Sequence, residues 1–79
     1  MLTARIKTCE DHKIGKYIVL CSIDNGPYEE FRTIQDAKDY IHKMMIVLRK
    51  MTCEITQRDE YIGKKYCTAY DYEPEYMVA

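Results

Sequence analysis

The sequence predicts a single α+β domain in which one long amphipathic helix packs on one face of an antiparallel sheet of about four to five strands, in the order β-β-β-α-β-β. Three observations predict it: apolar and polar residues alternate near the N-terminus, an Asn-Gly turn signal follows, and apolar residues then recur every three or four positions. The 79 residues make one domain over 1–79, and we expect its tail from about residue 73 to be flexible.

The first three strands follow from local patterns. Residues 2–9 alternate with the period of a half-buried strand. Residues 10–15 are polar, end in glycine and predict a turn, and Lys16–Ile23 is β-branched, aromatic and nearly all apolar, as in an interior strand. Asn-Gly-Pro within residues 24–27 is the strongest turn signal of the chain, and a short third strand is predicted over 28–32.

The helix is predicted from residue 34 to about residue 50. Thr33 can cap its first turn, and Asp36 favours the positive end of the helix dipole. The residues of its apolar stripe are Ile34, Ala37, Ile41, Met44, Met45 and Leu48. Ile46 and Val47 widen this stripe, which indicates that the sheet wraps around the helix or that a second surface covers it.

After the helix, residues 52–57 alternate and predict a strand. Residues 58–60 are polar and predict a turn, and residues 61–72 predict a long strand, bent at Gly63. Proline in the segment 73–75 should end it. Hairpins on either side of one helix predict the antiparallel sheet.

Charge and hydropathy restrict the function. Lys and Arg number 12 and Asp and Glu number 13, whereas a general nucleic-acid binder is expected to be strongly basic. No apolar run reaches the ~20 residues of a membrane span, and the N-terminus has no signal-peptide pattern. We therefore expect a cytoplasmic protein that does not insert into membranes.

The cysteines and histidines do not form a recognisable catalytic or metal-binding motif. There is no Cys-x-x-Cys pair, so buried, reduced thiols are predicted for Cys9, Cys21, Cys53 and Cys67. A tight turn at 58–60 would make Cys53 and Cys67 neighbours, but two thiols do not complete a zinc site. Cys67 or Cys21 could pair with His12 or His42, yet both histidines should be exposed and neither cysteine begins a helix. No enzyme, metal or cofactor is predicted.

Tyrosine is the unusual feature of the composition, with eight residues against one phenylalanine and no tryptophan. Tyr66, Tyr70 and Tyr72 share one parity, whereas the small residues Cys67 and Ala69 share the other and fit better beneath a helix. The tyrosines are therefore expected in solvent on the face away from the helix, although the alternative that they fill the core stays open. The predicted partner-binding residues are Tyr66, Tyr70, Asp71, Tyr72, Glu73, Glu75 and Tyr76.

A second candidate surface is the basic face of the helix. Its residues are Lys38, Lys43, Arg49 and Lys50. Such residues are usually only solvated, and the functional alternative is contact with phosphate or with an acidic protein.

The size, the predicted strand order and the acidic, tyrosine-rich end from Tyr66 to Tyr76 together resemble, in type, the small inhibitors encoded by phages and mobile elements, including anti-CRISPR proteins. The resemblance implies a non-catalytic module in the host cytoplasm that blocks a basic, nucleic-acid-handling surface of a larger protein or ribonucleoprotein complex. Its carboxylates would stand in for phosphates and its rings for stacked bases. The alternative is a small nucleic-acid-binding or regulatory protein that uses the basic helix face. Either a monomer or a homodimer paired through an edge strand is compatible with the sequence.

Overall fold

A computed structural model describes residues 1–63 and 67–79. Within them, six strands and one helix follow one another as β1 (Leu2–Asp11), β2 (Lys16–Ile23), β3 (Glu29–Phe31), α1 (Ile34–Val47), β4 (Thr52–Ile62), β5 (Thr68–Asp71) and β6 (Glu75–Val78). The strands lie in the order β3-β2-β1-β4-β5 in one sheet, and β6 also pairs with β4. The prediction of one helix packed on a sheet in an α+β domain is confirmed.

The sheet is mixed, so the prediction of an antiparallel sheet was wrong. β1 and β4 are parallel over their whole length, from the pair Leu2 and Cys53 to the pair Asp11 and Ile62, whereas the other pairs are antiparallel. The cause is the helix. It carries the chain from β3, at one edge of the sheet, back past β2 and β1 to β4, which lies next to β1. Such a crossover joins parallel strands.

The turn predicted at 24–27 is confirmed, but its centre lies one residue earlier than the Asn-Gly pair suggests. Asp24 and Asn25 have φ values of 48° and 60°, and the Gly26 N–H donates to the Ile23 carbonyl at 2.8 Å. Positive φ at both central residues is typical of a type I′ hairpin turn, which matches the twist of the flanking strands.

The helix begins where predicted and ends earlier. The Thr33 hydroxyl accepts a hydrogen bond from the Asp36 N–H at 3.0 Å, which confirms the cap. At the other end, the Lys50 N–H donates to the Met45 carbonyl and the Arg49 N–H to the Ile46 carbonyl, which is a Schellman motif. Arg49 adopts φ = 55° in the position that glycine usually occupies.

β4 passes straight through the turn predicted at 58–60. Its register with β1 continues to Ile62, and the chain then turns at Gly63 (φ 87°), so the single long strand predicted over 61–72 was also wrong. Polar residues suit this strand because its second half lies in a less covered part of the sheet, where Lys7 contacts Glu60 at 3.2 Å. From composition alone, residues 58–60 were predicted to form a turn.

The last strand, β6, was not predicted, and it lies within the segment that was expected to be flexible. Pro74 separates it from β5, and the prediction that a strand ends at 73–75 is confirmed. The first half of β4 pairs with β6 and its second half with β5, so both short strands share one edge of β4. The Tyr72 N–H donates to the Gln57 carbonyl at 3.0 Å between the two.

The core lies between α1 and one face of the sheet, which we call the helix side; the opposite face is the far side. Its residues share one parity in each strand and one stripe of the helix: Leu2, Ala4, Ile6, Val19, Cys21, Cys53, Ile55, Ala37, Ile41 and Met45. Alternation in β1 therefore identified the buried row correctly.

Candidate binding surface on the helix side

The helix is shorter than the strands on which it lies. Its 14 residues extend over about 21 Å, whereas the 11 residues of β4 extend over about 36 Å. The helix begins soon after Phe31, which pairs with Val19 in the middle of β2, and the chain then re-enters the sheet at Thr52. The second halves of β1 and β4 therefore extend beyond the helix, and their helix side is not covered by it.

Strand register decides which side chains meet on this uncovered part. Directly paired residues point to the same face. On the helix side, one row across the sheet is Tyr17, Glu10, Tyr61 and Thr68, and the next row is Val19, Thr8, Asp59 and Tyr70. Side chains from four strands thus meet there, although they lie far apart in the sequence.

Asp59 lies at the centre of this arrangement. Its Oδ1 accepts hydrogen bonds from the Thr8 hydroxyl at 2.5 Å and from Gln57 Nε2 at 3.2 Å, and its Oδ2 accepts one from the Tyr72 hydroxyl at 2.6 Å. Partial burial raises the pKa of Asp59, but these three donors outweigh it, and the net pKa lies below the ordinary value. The carboxylate is therefore charged at neutral pH.

Tyrosine rings surround this carboxylate. The ring centroids of Tyr61 and Tyr70 lie 5.8 Å apart in an edge-to-face pair, and His12 stacks on Tyr61 with the same separation. Tyr70, Tyr72 and Tyr17 are 56%, 51% and 48% exposed. We define the tyrosine surface as the four rings and the carboxylate of Tyr17, Tyr61, Tyr70, Tyr72 and Asp59.

Further carboxylates lie close to the tyrosine surface. Burial raises the pKa of Tyr17, and the charges of Asp59 and Glu10 raise it further, which places both carboxylates near its ring. A groove between Tyr17 and the start of α1 is lined by Glu30, Phe31, Arg32, Asp36 and Asp39. Its three carboxylates outnumber its one arginine, so the groove extends the acidic character of the tyrosine surface.

The predicted partner-binding residues are divided between different places. Tyr70 and Tyr72 are exposed, as expected, but Tyr70 lies on the helix side rather than on the opposite face. The predicted orientation was wrong because β5 pairs with the part of β4 that α1 does not cover, so large rings need no space beneath the helix. Ala69, expected beneath the helix, points to the far side and is exposed.

The other predicted residues do not join the tyrosine surface. Asp71 lies on the far side, with Arg58 3.8 Å away, and Tyr76 also points to the far side from β6. Glu73 is exposed in the connection before β6, and Glu75 forms an ion pair with Lys38 of the helix at 2.9 Å. The prediction for Tyr66 falls outside the described residues.

Sequence reasoning missed the contributions of Tyr17, Tyr61, Asp59 and Thr8. Tyr17 has the same parity as the buried Val19, and Tyr61 follows Asp59 by two positions, so each local pattern was visible. The register of β4 between β1 and β5 brings them together. This register was not predicted, because residues 58–60 were interpreted as a turn.

The predicted basic face is also divided. Lys38 is paired with Glu75, whereas no carboxylate of the described residues forms an ion pair with Lys43, Arg49 or Lys50. Beside them, Ile46 and Val47 are exposed, so neither a wrapped sheet nor a second described element covers them.

The cysteine predictions hold for two of the four residues. Cys21 and Cys53 are buried, and burial raises the pKa of the Cys21 thiol to about 11. Cys9 is half-buried and Cys67 is exposed, because both lie outside the region that α1 covers. Cys53 pairs with Met77, so Cys67 is not its cross-strand neighbour. Among the described residues, no three His, Cys, Asp or Glu side chains are grouped to hold a metal ion.

Fold and surface together define a small α+β domain that carries an exposed tyrosine surface beside its helix. No protein-family model, curated protein or solved structure matches the chain. Within the part of the chain that the structure describes, the helix is not long and apolar enough to cross a membrane.

Proposed function

We propose that this protein is a non-catalytic binding module whose tyrosine surface covers a basic surface on a larger partner protein. The observation that carries this proposal is the fixed position of half-exposed rings around a charged carboxylate: Tyr72 is hydrogen-bonded to Asp59, which is in turn held by Thr8. Tyrosine provides a large contact area at a small cost in side-chain entropy, and ordering before binding lowers that cost further.

The proposal extends to inhibition. A module of 79 residues that covers a basic, nucleic-acid-handling surface would exclude its substrate, as the resemblance to anti-CRISPR-type phage inhibitors implies. The carboxylates of Asp59 and Glu10 support a basic partner, because charges of opposite sign favour encounter and orientation. Direct binding of free nucleic acid by this surface is disfavoured, since those carboxylates repel phosphate.

The test is capture of a protein partner from a cell lysate by the tagged chain. The variant Tyr70→Ala/Tyr72→Ala removes two exposed rings of the tyrosine surface, and Tyr76→Ala is the matched control, because Tyr76 is 69% exposed on the far side. We expect the wild type and the control to retain the same partner after nuclease treatment and the double variant to lose it. A partner that survives the double substitution, or no captured protein at all, overturns the proposal.

A second candidate function is binding of nucleic acid by the basic helix face. The observation in its favour is that Lys43, Arg49 and Lys50 lie near the end of α1 without an ion-pair partner among the described residues. Substitution of these three residues by Glu should then abolish binding of RNA or DNA oligonucleotides, with a steep dependence on salt concentration. Lys38→Glu serves as the control, because that side chain is already paired.

A further inference from the structure

The hydrogen bonds that Asp59 accepts from the described residues leave one position for an additional donor. A carboxylate offers about four acceptor positions. Of the described residues, two donate to Oδ1, and one, the Tyr72 hydroxyl, donates to Oδ2. Oδ2 therefore keeps one acceptor position that no described residue fills, and its other donor is the hydroxyl of Tyr72, whose side chain is 51% exposed.

We propose that this position binds the guanidinium group of an arginine side chain from the partner, with one N–H donating to Asp59 Oδ2 and the planar face stacked on an exposed tyrosine ring. The inference rests on the proposed function and names the chemistry of the contact. It identifies Asp59, Tyr70 and Tyr72 as the residues that recognise the cation.

The charge of the surroundings favours a cation at this position. The face of an aromatic ring is the negative part of its quadrupole, and it attracts Lys and Arg. Asp59 is charged at neutral pH, since its net pKa lies below the ordinary value despite the opposing effect of burial, and Glu10 lies in the neighbouring row of the sheet. The groove beside Tyr17 adds Glu30, Asp36 and Asp39, so a second cation of the same partner segment can be accommodated there.

Geometry favours arginine over lysine. A guanidinium group is planar and has five N–H donors at its edge, so it can donate to a carboxylate and stack on a ring at the same time. The hydrogen bond from Tyr72 to Asp59 fixes a ring directly beside the carboxylate, which is the arrangement that such a group requires. An ammonium group is a compact, strongly hydrated charge and cannot use both contacts equally well.

The experiment is an NMR titration of the intact, isotope-labelled protein with N-acetyl-arginine amide as the probe. N-acetyl-lysine amide and the neutral N-acetyl-citrulline amide are the matched ligands. We expect saturating shifts of the Asp59, Tyr70 and Tyr72 signals with a millimolar Kd for the arginine probe, weaker binding of the lysine probe and no saturation with citrulline. Asp59→Asn and Tyr70→Ala should each weaken arginine binding by about fivefold or more, whereas Tyr76→Ala should leave it unchanged.

Three results would overturn the inference. The arginine probe does not bind, the citrulline probe binds equally well, or Asp59→Asn and Tyr70→Ala leave the binding of the arginine probe intact. The spectrum of each variant reports whether it is folded, so loss of binding is separated from loss of structure. If a protein is captured that requires Tyr70 and Tyr72 but the arginine probe does not bind, the proposed binding function stands and only the arginine contact is contradicted. If the arginine probe binds but no protein is captured in a tyrosine-dependent way, the proposed function is contradicted and the cation site is supported.

Discussion

The two halves of strands β1 and β4 form very different surfaces from one continuous row of side chains. In the first half, Leu2, Ala4, Cys53 and Ile55 lie buried beneath the helix. In the second half, the same row continues as polar and tyrosine side chains beyond the helix. Parity sets the face on which a side chain lies. The helix buries the apolar side chains of the first half, whereas in the second half Thr8 is buried and Asp59 and Tyr61 are half-buried.

The two halves are also held together by different interactions. Apolar burial against α1 stabilises the first half, and each large side chain there contributes about 1.5–3 kcal/mol. The second half depends on the strand ladder, on the hydrogen bonds of Asp59 and on ion pairs such as that of Lys7 with Glu60. Since exposed polar contacts contribute less, we expect the second half to tolerate substitution better.

The largest expected effect separates the two halves directly. Ile41 is fully buried between the helix and the sheet, so Ile41→Ala should lower the free energy of unfolding by about 2–4 kcal/mol. Tyr70→Ala removes a larger side chain from the tyrosine surface, but it should cost at most about 1 kcal/mol because the ring is mainly exposed. Urea denaturation measures both. Equal losses would show that the tyrosine surface is part of the core.

A second substitution tests how tightly the chain turns at the outer end of β4. Gly63 has φ = 87°, and a Cβ there would lie 2.8 Å from Asp11 Oδ1 and 2.9 Å from Lys13 Cγ. Gly63→Ala should therefore destabilise the protein by about 2 kcal/mol, from strain and displacement together.

Gly15→Ala is its control, because φ is 65° there and no atom lies within 4 Å of the added Cβ. It should cost only the left-handed strain of about 1 kcal/mol. Equal losses in urea denaturation would mean that the neighbours of Gly63 move aside freely.

The contribution of Asp59 should depend on pH. Asp59→Asn removes the charge that accepts three hydrogen bonds and should lower the free energy of unfolding at pH 7 by about 1 kcal/mol. Because the folded-state pKa lies below the ordinary value of 3.8, this stabilisation is complete above that value. It is lost as the pH falls through the folded pKa, since the unfolded chain binds the proton first.

Urea denaturation at pH 7 and at pH 3 measures this difference between wild type and variant, which should narrow at pH 3. Asp71→Asn is the control, because Asp71 is exposed and contacts only Arg58 at 3.8 Å among the ion pairs of the described residues. A difference that stays constant with pH would contradict the network around Asp59.

The smallest expected effect lies at the covered end, where α1 terminates. Arg49 adopts φ = 55°, a conformation that glycine takes without steric cost. Arg49→Gly should therefore raise the free energy of unfolding by about 0.5–1 kcal/mol, reduced by the greater freedom of glycine in the unfolded chain. Thermal denaturation measures the gain, and a loss of stability would mean that the Arg49 side chain makes stabilising contacts.

The amino-acid sequence by itself determined the local structure of the first half. The alternation in β1 identified its buried row, and Thr33 identified the start of the helix, because both signals depend only on neighbouring residues. Turn residues likewise placed the hairpin near Asn25.

Only the tertiary structure decided the parallel pairing of β1 with β4 and the composition of the tyrosine surface. Hairpin signals say nothing about a strand that returns by a helical crossover, and the polar residues 58–60 resemble a turn unless their partners in β1 and β5 are known. Tyr17 and Tyr70 lie on one surface because strand register joins distant segments and because the helix begins beside them and runs toward the opposite end of the sheet. A one-dimensional pattern contains neither the register nor the reach of the helix.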